Sequence, residues 1–428
     1  MKKKLLFTLF CLFVFCLSAQ TRTIEVHPNN RVSSILMTES EYNVWISQDH
    51  FKDQSKRESL TQDLYLKFRD DFDFIFFVLN EDQRPSNLPY GELINVSNNV
   101  LGIGRNEFSL ADSYGSDGKL QAIIQLTQRD FLLYGPSLHE LMHNWGNYGI
   151  PTESVSAPGS NLVGFNFIPH WGFTGGSTKG QLGGFEQGSL IRLGSGSFRV
   201  DSFSPFANGG NSVPYNELEL YLMGMIPIDQ VSDFSLFNRI TSLTVSTSTF
   251  DFEATEIPLN SQNLEGFLGK RNPSFTESQK EFNSLVVILT KQPINQQQWD
   301  LVDQQAEQFS MASDLPGYLY NFWEATNGVG QINMSNLDKS LIDQTLGIDE
   351  EKLDKSVKFY PNPISNILSI KTETIIIQKV EIYSSLGIKM DEIDSGFEQI
   401  QTDNLSNGIY IIKIYSEKGS TTRRLIKQ

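Results

Sequence analysis

The chain has 428 residues, with 34 Lys and Arg against 50 Asp and Glu, which gives a formal net charge of −16 at pH 7. An acidic surface repels phosphate backbones, whose binding rests on Lys and Arg displacing counterions, so the balance argues against a nucleic-acid partner. With 39% hydrophobic residues, 30 Phe and 5 Trp, the composition is too apolar for general disorder and can supply the cores of two or three domains.

The N-terminal segment MKKKLLFTLFCLFVFCLSAQ combines Lys2, Lys3 and Lys4, an apolar run from Leu5 to Leu17, and small residues at Ser18 and Ala19. This is the layout of a secretory signal peptide over residues 1–19. The run falls short of the roughly 20 apolar residues that cross a bilayer, so no integral membrane span is expected after processing. Both cysteines, Cys11 and Cys16, lie inside this segment. The processed chain is therefore expected to lack disulfides, thiolate nucleophiles and cysteine metal ligands, and any metal must be held by His, Asp or Glu.

A domain over residues 20–345 is expected next. TESEYNVWIS and DFIFFVLN read as strands, the second of them buried because it is almost continuously apolar. Between them, Leu60, Leu64, Leu66 and Phe68 in LTQDLYLKFRDDF predict an amphipathic helix. NNVLGIG and KLQAIIQL read as two strands joined through DSYGSDG, with Asp117 and Gly118 as the hairpin turn. Residues 149–214, rich in Gly, Ser, Pro and Phe, predict loops and short strands of the kind that shape a site. PYNELELYLMGMIP predicts a helix with Leu218, Tyr221, Leu222 and Met225 on one face. SLVVILT then reads as a strand and QQWDLVDQQAEQF as a polar helix, while the role of residues 230–345 is not legible. LGIDEEKLDKSV, at 346–357, reads as a charged linker. From 358 to 428, YPNPISNILSIKT, KVEIYSSLGIKM, NGIYIIKIYS and TTRRLIKQ read as strands punctuated by Pro361, Pro363, Gly387 and Gly408, the pattern of a small β-sandwich.

The chemistry is concentrated in HELMH, residues 139–143. On a helix, His139 and His143 stand one turn apart on the same face and can reach one metal ion, with Glu140 beside them. Leu138, Leu141, Met142 and Trp145 form a core-facing stripe, Pro136 suits the first turn, and Gly146 leaves room where the helix ends. Of the remaining histidines, His27 and His50 read as solvated surface residues. His170, in PHWGFTGG, is the expected third ligand, leaving a fourth position for water. Glu217 or Glu219 on the later helix are the acidic alternatives. Zinc is the metal such a ligand set suits. It lowers the pKa of water to about 7, and Glu140 would act as general base. Tyr148, Tyr215 and Tyr221 are the candidates for a further oxyanion donor, none of them singled out, with a packing tyrosine as the ordinary reading of each.

These residues resemble the zincin metallopeptidases, whose helix motif HELMH matches, over about residues 40–230. The longer stretch HELMHNWG is similar to the metzincin form HExxHxxG, but metzincins place a third His where this chain has Gly149. Met223 in YLMGM is similar to the metzincin methionine turn, with a core methionine as the ordinary reading. The resemblance implies an α+β fold: a zincin-like catalytic domain with a twisted mixed sheet and the HExxH helix. In it, KLQAIIQL would be the edge strand along which an extended substrate aligns. The last seventy residues or so resemble the C-terminal sorting domain of the Bacteroidetes type IX secretion system. Tyr360, Pro361, Asn362 and Pro363, then Gly387, then Leu405, Asn407, Gly408, Ile409 and Tyr410 carry that likeness, together with the basic ending RRLIKQ. It implies the type IX machinery as a partner and a secreted or cell-surface location. The expected activity is that of a secreted zinc metalloendopeptidase acting on proteins or peptides. A non-catalytic surface adhesin or glycan-binding protein on a zincin scaffold is the alternative.

Overall fold

The computed structural model describes residues 22–152, 155–342, 357–372, 375–385, 387–416 and 419–428. The expected signal peptide, and the expected linker apart from Val357, lie outside the described residues. The chain divides into two compact units, one ending at Leu341 and one running from Ile342 to Gln428. Among the described residues, no helix is long and apolar enough to cross a membrane.

Numbered in chain order, the first sheet holds β1 (Thr23–Val26), β2 (Val32–Leu36), β3 (Phe74–Leu79), β4 (Gly91–Asn95), β7 (Ala122–Leu126), β14 (Glu281–Thr290) and β15 (Gln331–Asn333). Its order is β1-β2-β14-β3-β7-β4, with β15 added to β14. The inner strands β2, β14, β3 and β7 run parallel, and β1 and β4 close the ends antiparallel. Alternation along the pleat sends Phe74, Phe76 and Val78 to one face and Ile75, Phe77 and Leu79 to the other. Both faces are covered, which is why β3 and β14 read as nearly unbroken apolar runs. One face packs on α1 (Glu39–Ser47) and α2 (Gln54–Tyr65) through Tyr42, Trp45, Leu60 and Leu64. The other packs on α3 (Phe131–Tyr134), α4 (Ser137–Met142), α5 (Glu217–Met223), α6 (Glu265–Leu268) and α7 (Gln296–Ser310) through Leu132, Leu138, Leu141, Leu218, Leu268 and Val302.

A second sheet fills the Gly- and Phe-rich stretch. It joins β8 (Gly172–Gly176), β9 (Gly183–Glu186), β10 (Ile191–Gly194), β11 (Ser197–Asp201), β12 (Phe234–Val245) and β13 (Thr249–Leu259) in the order β10-β11-β13-β12-β8-β9. Its core is largely phenylalanine, with Phe167, Phe173, Phe185, Phe198, Phe237 and Phe252 buried together. The expectation of short strands over 149–214 therefore holds. Residues 230–345 complete both sheets, with β12 and β13 in the second and β14 at the centre of the first.

Several local readings are corrected. TESEYNVWIS is not a strand but helix α1, because Thr38 caps it by accepting the Glu41 N–H at 3.1 Å and Tyr42 and Trp45, three apart, bury one face. Helix α2 begins earlier than expected and stops at Tyr65, so Leu66 is 72% exposed while Phe68 packs from beyond the helix. NNVLGIG does not pair with KLQAIIQL. Gly102 and Gly104 sit at positive φ and break the strand, leaving only the short hairpin of β5 (Ser97–Asn98) and β6 (Phe108–Ser109). The strand in KLQAIIQL is β7, which lies between β3 and β4, so the edge is β4. His27 is not solvated. It is 3% exposed and packs its ring against Trp299.

The C-terminal unit has a three-stranded sheet of β16 (Val357–Tyr360), β17 (Ile367–Thr372) and β20 (Ile400–Gln401). A four-stranded sheet holds β18 (Ile377–Ser384), β19 (Lys389–Ile393), β21 (Gly408–Ser416) and β22 (Gly419–Lys427). Val357, Ile370, Val380, Ile412 and Leu425 share one core, the sandwich packing expected. Asn362 of the YPNP segment donates to the Arg424 carbonyl at 2.9 Å and accepts from the Ile426 N–H at 2.8 Å, tying the start of the unit to its last strand.

Candidate metal centre

Helix α4 is short, and its ends are braced from elsewhere in the chain. Its free N-terminal N–H at Leu138 donates to Asn211 Oδ1 at 2.9 Å, while Asn211 Nδ2 donates to the Leu132 and Leu133 carbonyls at the end of α3. The Tyr215 hydroxyl donates to the Leu138 carbonyl at 2.8 Å, and the Tyr148 hydroxyl meets the His143 carbonyl at the other end. Leu138, Leu141, Met142 and Trp145 are buried in the core as the sequence predicts. What remains on the other face is His139 and His143, their rings 4.8 Å apart and their Nε2 atoms 3.2 Å apart.

His170 comes from the turn ahead of β8, with its ring 5.4 Å from that of His139 and 5.0 Å from that of His143. The three histidines each offer a nitrogen, all within 4.8 Å of one another. Two nitrogens at about 2.0–2.1 Å from one ion in a tetrahedral arrangement are about 3.3 Å apart, close to the spacing His139 and His143 already have. The His139 Nδ1–H donates to the Gln181 carbonyl at 2.7 Å and the His170 Nδ1–H to the Phe167 carbonyl at 3.2 Å, which leaves each Nε2 with a free lone pair. His143 Nδ1 leans on the Gly146 backbone without a full hydrogen bond. Burial holds all three imidazoles in the neutral form that binds metal. His139 is lowered to about 4, His143 well below its ordinary value by burial and by the other two rings, and His170 is lowered by burial. The three imidazoles and the His139–His143 spacing are compatible with one bound metal ion, and the all-nitrogen donor set is of the kind that suits zinc.

Glu140 is 5% exposed and lies against the edge strand β4. A methyl group at Gly91 would fall 2.7 Å from Glu140 Cγ, so the glycine makes room for that side chain. Burial, then the charge of Glu92, pushes Glu140 up to about 8, while the Leu93 backbone N–H pulls the other way. On the β7 side, β4 uses alternate residues. Tyr90 and Val96 bond to Thr127 and Gln121, so by the antiparallel alternation the N–H and C=O groups of Gly91, Leu93 and Asn95 point away from β7.

The acidic alternatives have other roles. Glu217 accepts from the Ser232 N–H at 2.8 Å, and Glu219 is fully buried with both oxygens taken by N–H donors. Neither joins the histidine group found among the described residues. Tyr148 and Tyr215 are braces of α4, and Tyr221 is buried in the core cluster, so none of the three tyrosines is placed as an oxyanion donor. Met223 packs in the core cluster with Leu222 and Met225. His50 is half-exposed, beside Gln48. Asn211 and Gln181 carried no sequence signal, because their partners lie 73 and 42 residues away. Glu219 did carry one, since Asn216-Glu217-Leu218-Glu219 has the spacing of a capping box.

No curated protein matches the chain. Among solved structures, the chain is similar to PorZ, described as an essential bacterial surface component of the type-IX secretion system of Porphyromonas gingivalis. That likeness is 18% identity over 18% of this chain and 12% of that one, with a TM-score of 0.16. A Cellulomonas fimi endo-beta-1,4-mannanase double mutant is similar at 10% identity over 34% of this chain and 31% of that one, with a TM-score of 0.14. The chain thus spans under a third of either structure, and neither likeness bears on the histidine site. Residues 358–428 match the family of secretion system C-terminal sorting domains. That match covers the segment carrying YPNP and the strands β17 to β22. The chain is therefore a type IX-secreted Bacteroidetes protein, exported to the cell surface or beyond it.

Proposed function

We propose that the exported protein is a zinc-dependent endopeptidase in which His139, His143 and His170 hold the metal and Glu140 is the general base. The observation that carries this reading is the convergence of three buried or half-buried imidazoles, two of them backed by carbonyls, beside the buried carboxyl of Glu140. A bound zinc ion supplies a Lewis acid that brings the pKa of water down to about 7. Glu140 takes the proton from the attacking water at its carboxylate and gives it to the departing amine nitrogen, so no covalent enzyme intermediate is needed. The carboxylate form is the one this step requires, and a cation beside it favours that form over the protonated one that burial alone would leave. With the Leu93 N–H directed at Glu140, the other outward backbone groups of Gly91, Leu93 and Asn95 would be the ones to meet an extended peptide added along β4, which suits a protein or peptide substrate. Substrates would be met outside the cell, consistent with the sorting domain.

Glu140→Gln separates chemistry from metal binding. The variant is expected to keep its zinc and to cleave an unfolded protein such as casein about 10²–10⁴-fold more slowly than wild type. Equal cleavage at equal zinc content would remove Glu140 as the base. A zinc-loaded wild type that cleaves no protein would leave the adhesin or glycan-binding reading in its place.

A further inference from the structure

Glu219 is 0% exposed, and its carboxylate accepts four N–H groups. Oε1 takes Trp171 Nε1 at 2.9 Å and the Leu182 backbone at 2.9 Å. Oε2 takes the Gln181 backbone at 3.0 Å and the Asn216 backbone at 3.1 Å. Only the last of these belongs to the capping box of α5. The other three reach back 48, 37 and 38 residues, which a helix cap does not require. The chain's capping box at α7 shows the contrast. There Asn295 is paired with a neutral, half-exposed Gln298 that closes its own helix.

The two segments that Glu219 grips are the ones that orient two of the histidines. Trp171 follows His170 directly, and its backbone N–H donates to the Leu182 carbonyl at 2.8 Å, pairing the two segments. Gln181 supplies the carbonyl that fixes the His139 tautomer at 2.7 Å. Gly180 keeps the segment close, since a methyl group there would fall 2.7 Å from Glu219 Oε1.

On the reading of these histidines as a metal site, we propose that Glu219 is its positioning residue: one buried carboxylate fixes both the acceptor that orients His139 and the segment that carries His170. It touches neither the metal ligands nor a substrate, and acts through Gln181 and Trp171.

The test uses the full exported protein and measures zinc affinity by competition with a chromogenic chelator, alongside the melting temperature of the metal-free form. Glu219→Gln keeps the shape but turns an NH₂ towards two N–H donors. It is expected to weaken zinc binding by roughly 10–100-fold, the range for partners one step beyond the ligands. Asn216→Ala removes the acceptor that caps the Glu219 N–H while leaving the carboxylate bonds, and is expected to lower the melting temperature with zinc affinity within about twofold of wild type. Should Glu219→Gln not fold, Trp171→Phe removes one bond with little change of shape and is expected to weaken zinc binding several-fold. Unchanged affinity in the folded Glu219 or Trp171 variant overturns the proposal, as does an equal loss in Asn216→Ala. Wild type that binds no zinc at all overturns the metal site itself along with it.

Discussion

Neutral imidazole is the form that coordinates a metal, and at this site burial, helped at His139 and His143 by the neighbouring rings, favours it. In the metal-free protein the folded state binds fewer protons at His139, His143 and His170 than the unfolded state does, because all three are lowered from their ordinary 6.5. Stability then rises with pH wherever the unfolded chain carries the extra protons. The contribution is fully present above 6.5 and is lost as pH falls towards the folded value of about 4 for His139. Glu140 has the opposite sign. Raised to about 8, it is protonated in the folded state and ionised in the unfolded one between 4.5 and 8, so its contribution fades as pH rises through that window. Melts of chelator-treated protein are therefore expected to show an acid-side loss of stability between pH 6.5 and 4. Saturating zinc should move the onset of that loss to lower pH, since metal binding competes with the protons. Identical acid profiles with and without zinc would contradict the ligand assignment.

At the scale of elements, a helix of six residues stands because distant side chains satisfy its ends. Asn211→Ala removes the acceptor for the Leu138 N–H and two donors to α3, leaving buried backbone groups unpaired. We expect a loss of about 1–3 kcal/mol in urea unfolding, against near-neutrality if the bonds were dispensable. The same contrast explains what the sequence could show. HELMH was legible because its spacing is local to one helix, and β3 and β14 because strands covered on both faces leave unbroken apolar runs. His170 was legible by scarcity, as one of 5 histidines in a chain whose cysteines lie in the expected signal peptide. Helix α1 was misread because Tyr42, Val44, Trp45 and Ile46 all favour strands, although Thr38 and the acids at Glu39 and Glu41 are helix-start signals. Strand β4 was missed because it is five residues long, starts on glycine after Pro89 and carries Glu92, yet it forms the sheet edge beside Glu140. The braces Asn211 and Tyr215 could not be read, because nothing local marks a contact made more than seventy residues away.

At the scale of the molecule, the two units divide the work. The C-terminal sandwich carries the export address at 358–428, and the first unit holds the histidine site. Removing residues 358–428 is expected to leave the protein inside the cell envelope with its zinc site intact, read by fractionation and metal analysis of the retained protein. Secretion of the truncated chain at wild-type levels would contradict the role of that domain. The full sequence carries a net −16, a balance that disfavours adhesion to nucleic acid or anionic lipid. The two larger sheets of the first unit both serve the site. The first sheet places α4 and the edge β4, and the second carries His170 to them just ahead of β8. The most direct measurement of the central claim is X-ray absorption at the zinc edge on purified exported protein. Three imidazole nitrogens at about 2.0–2.1 Å with one oxygen, reduced to two nitrogens in His170→Ala, is the result this account predicts. A spectrum that His170→Ala leaves unchanged, or protein that retains no zinc, would contradict it.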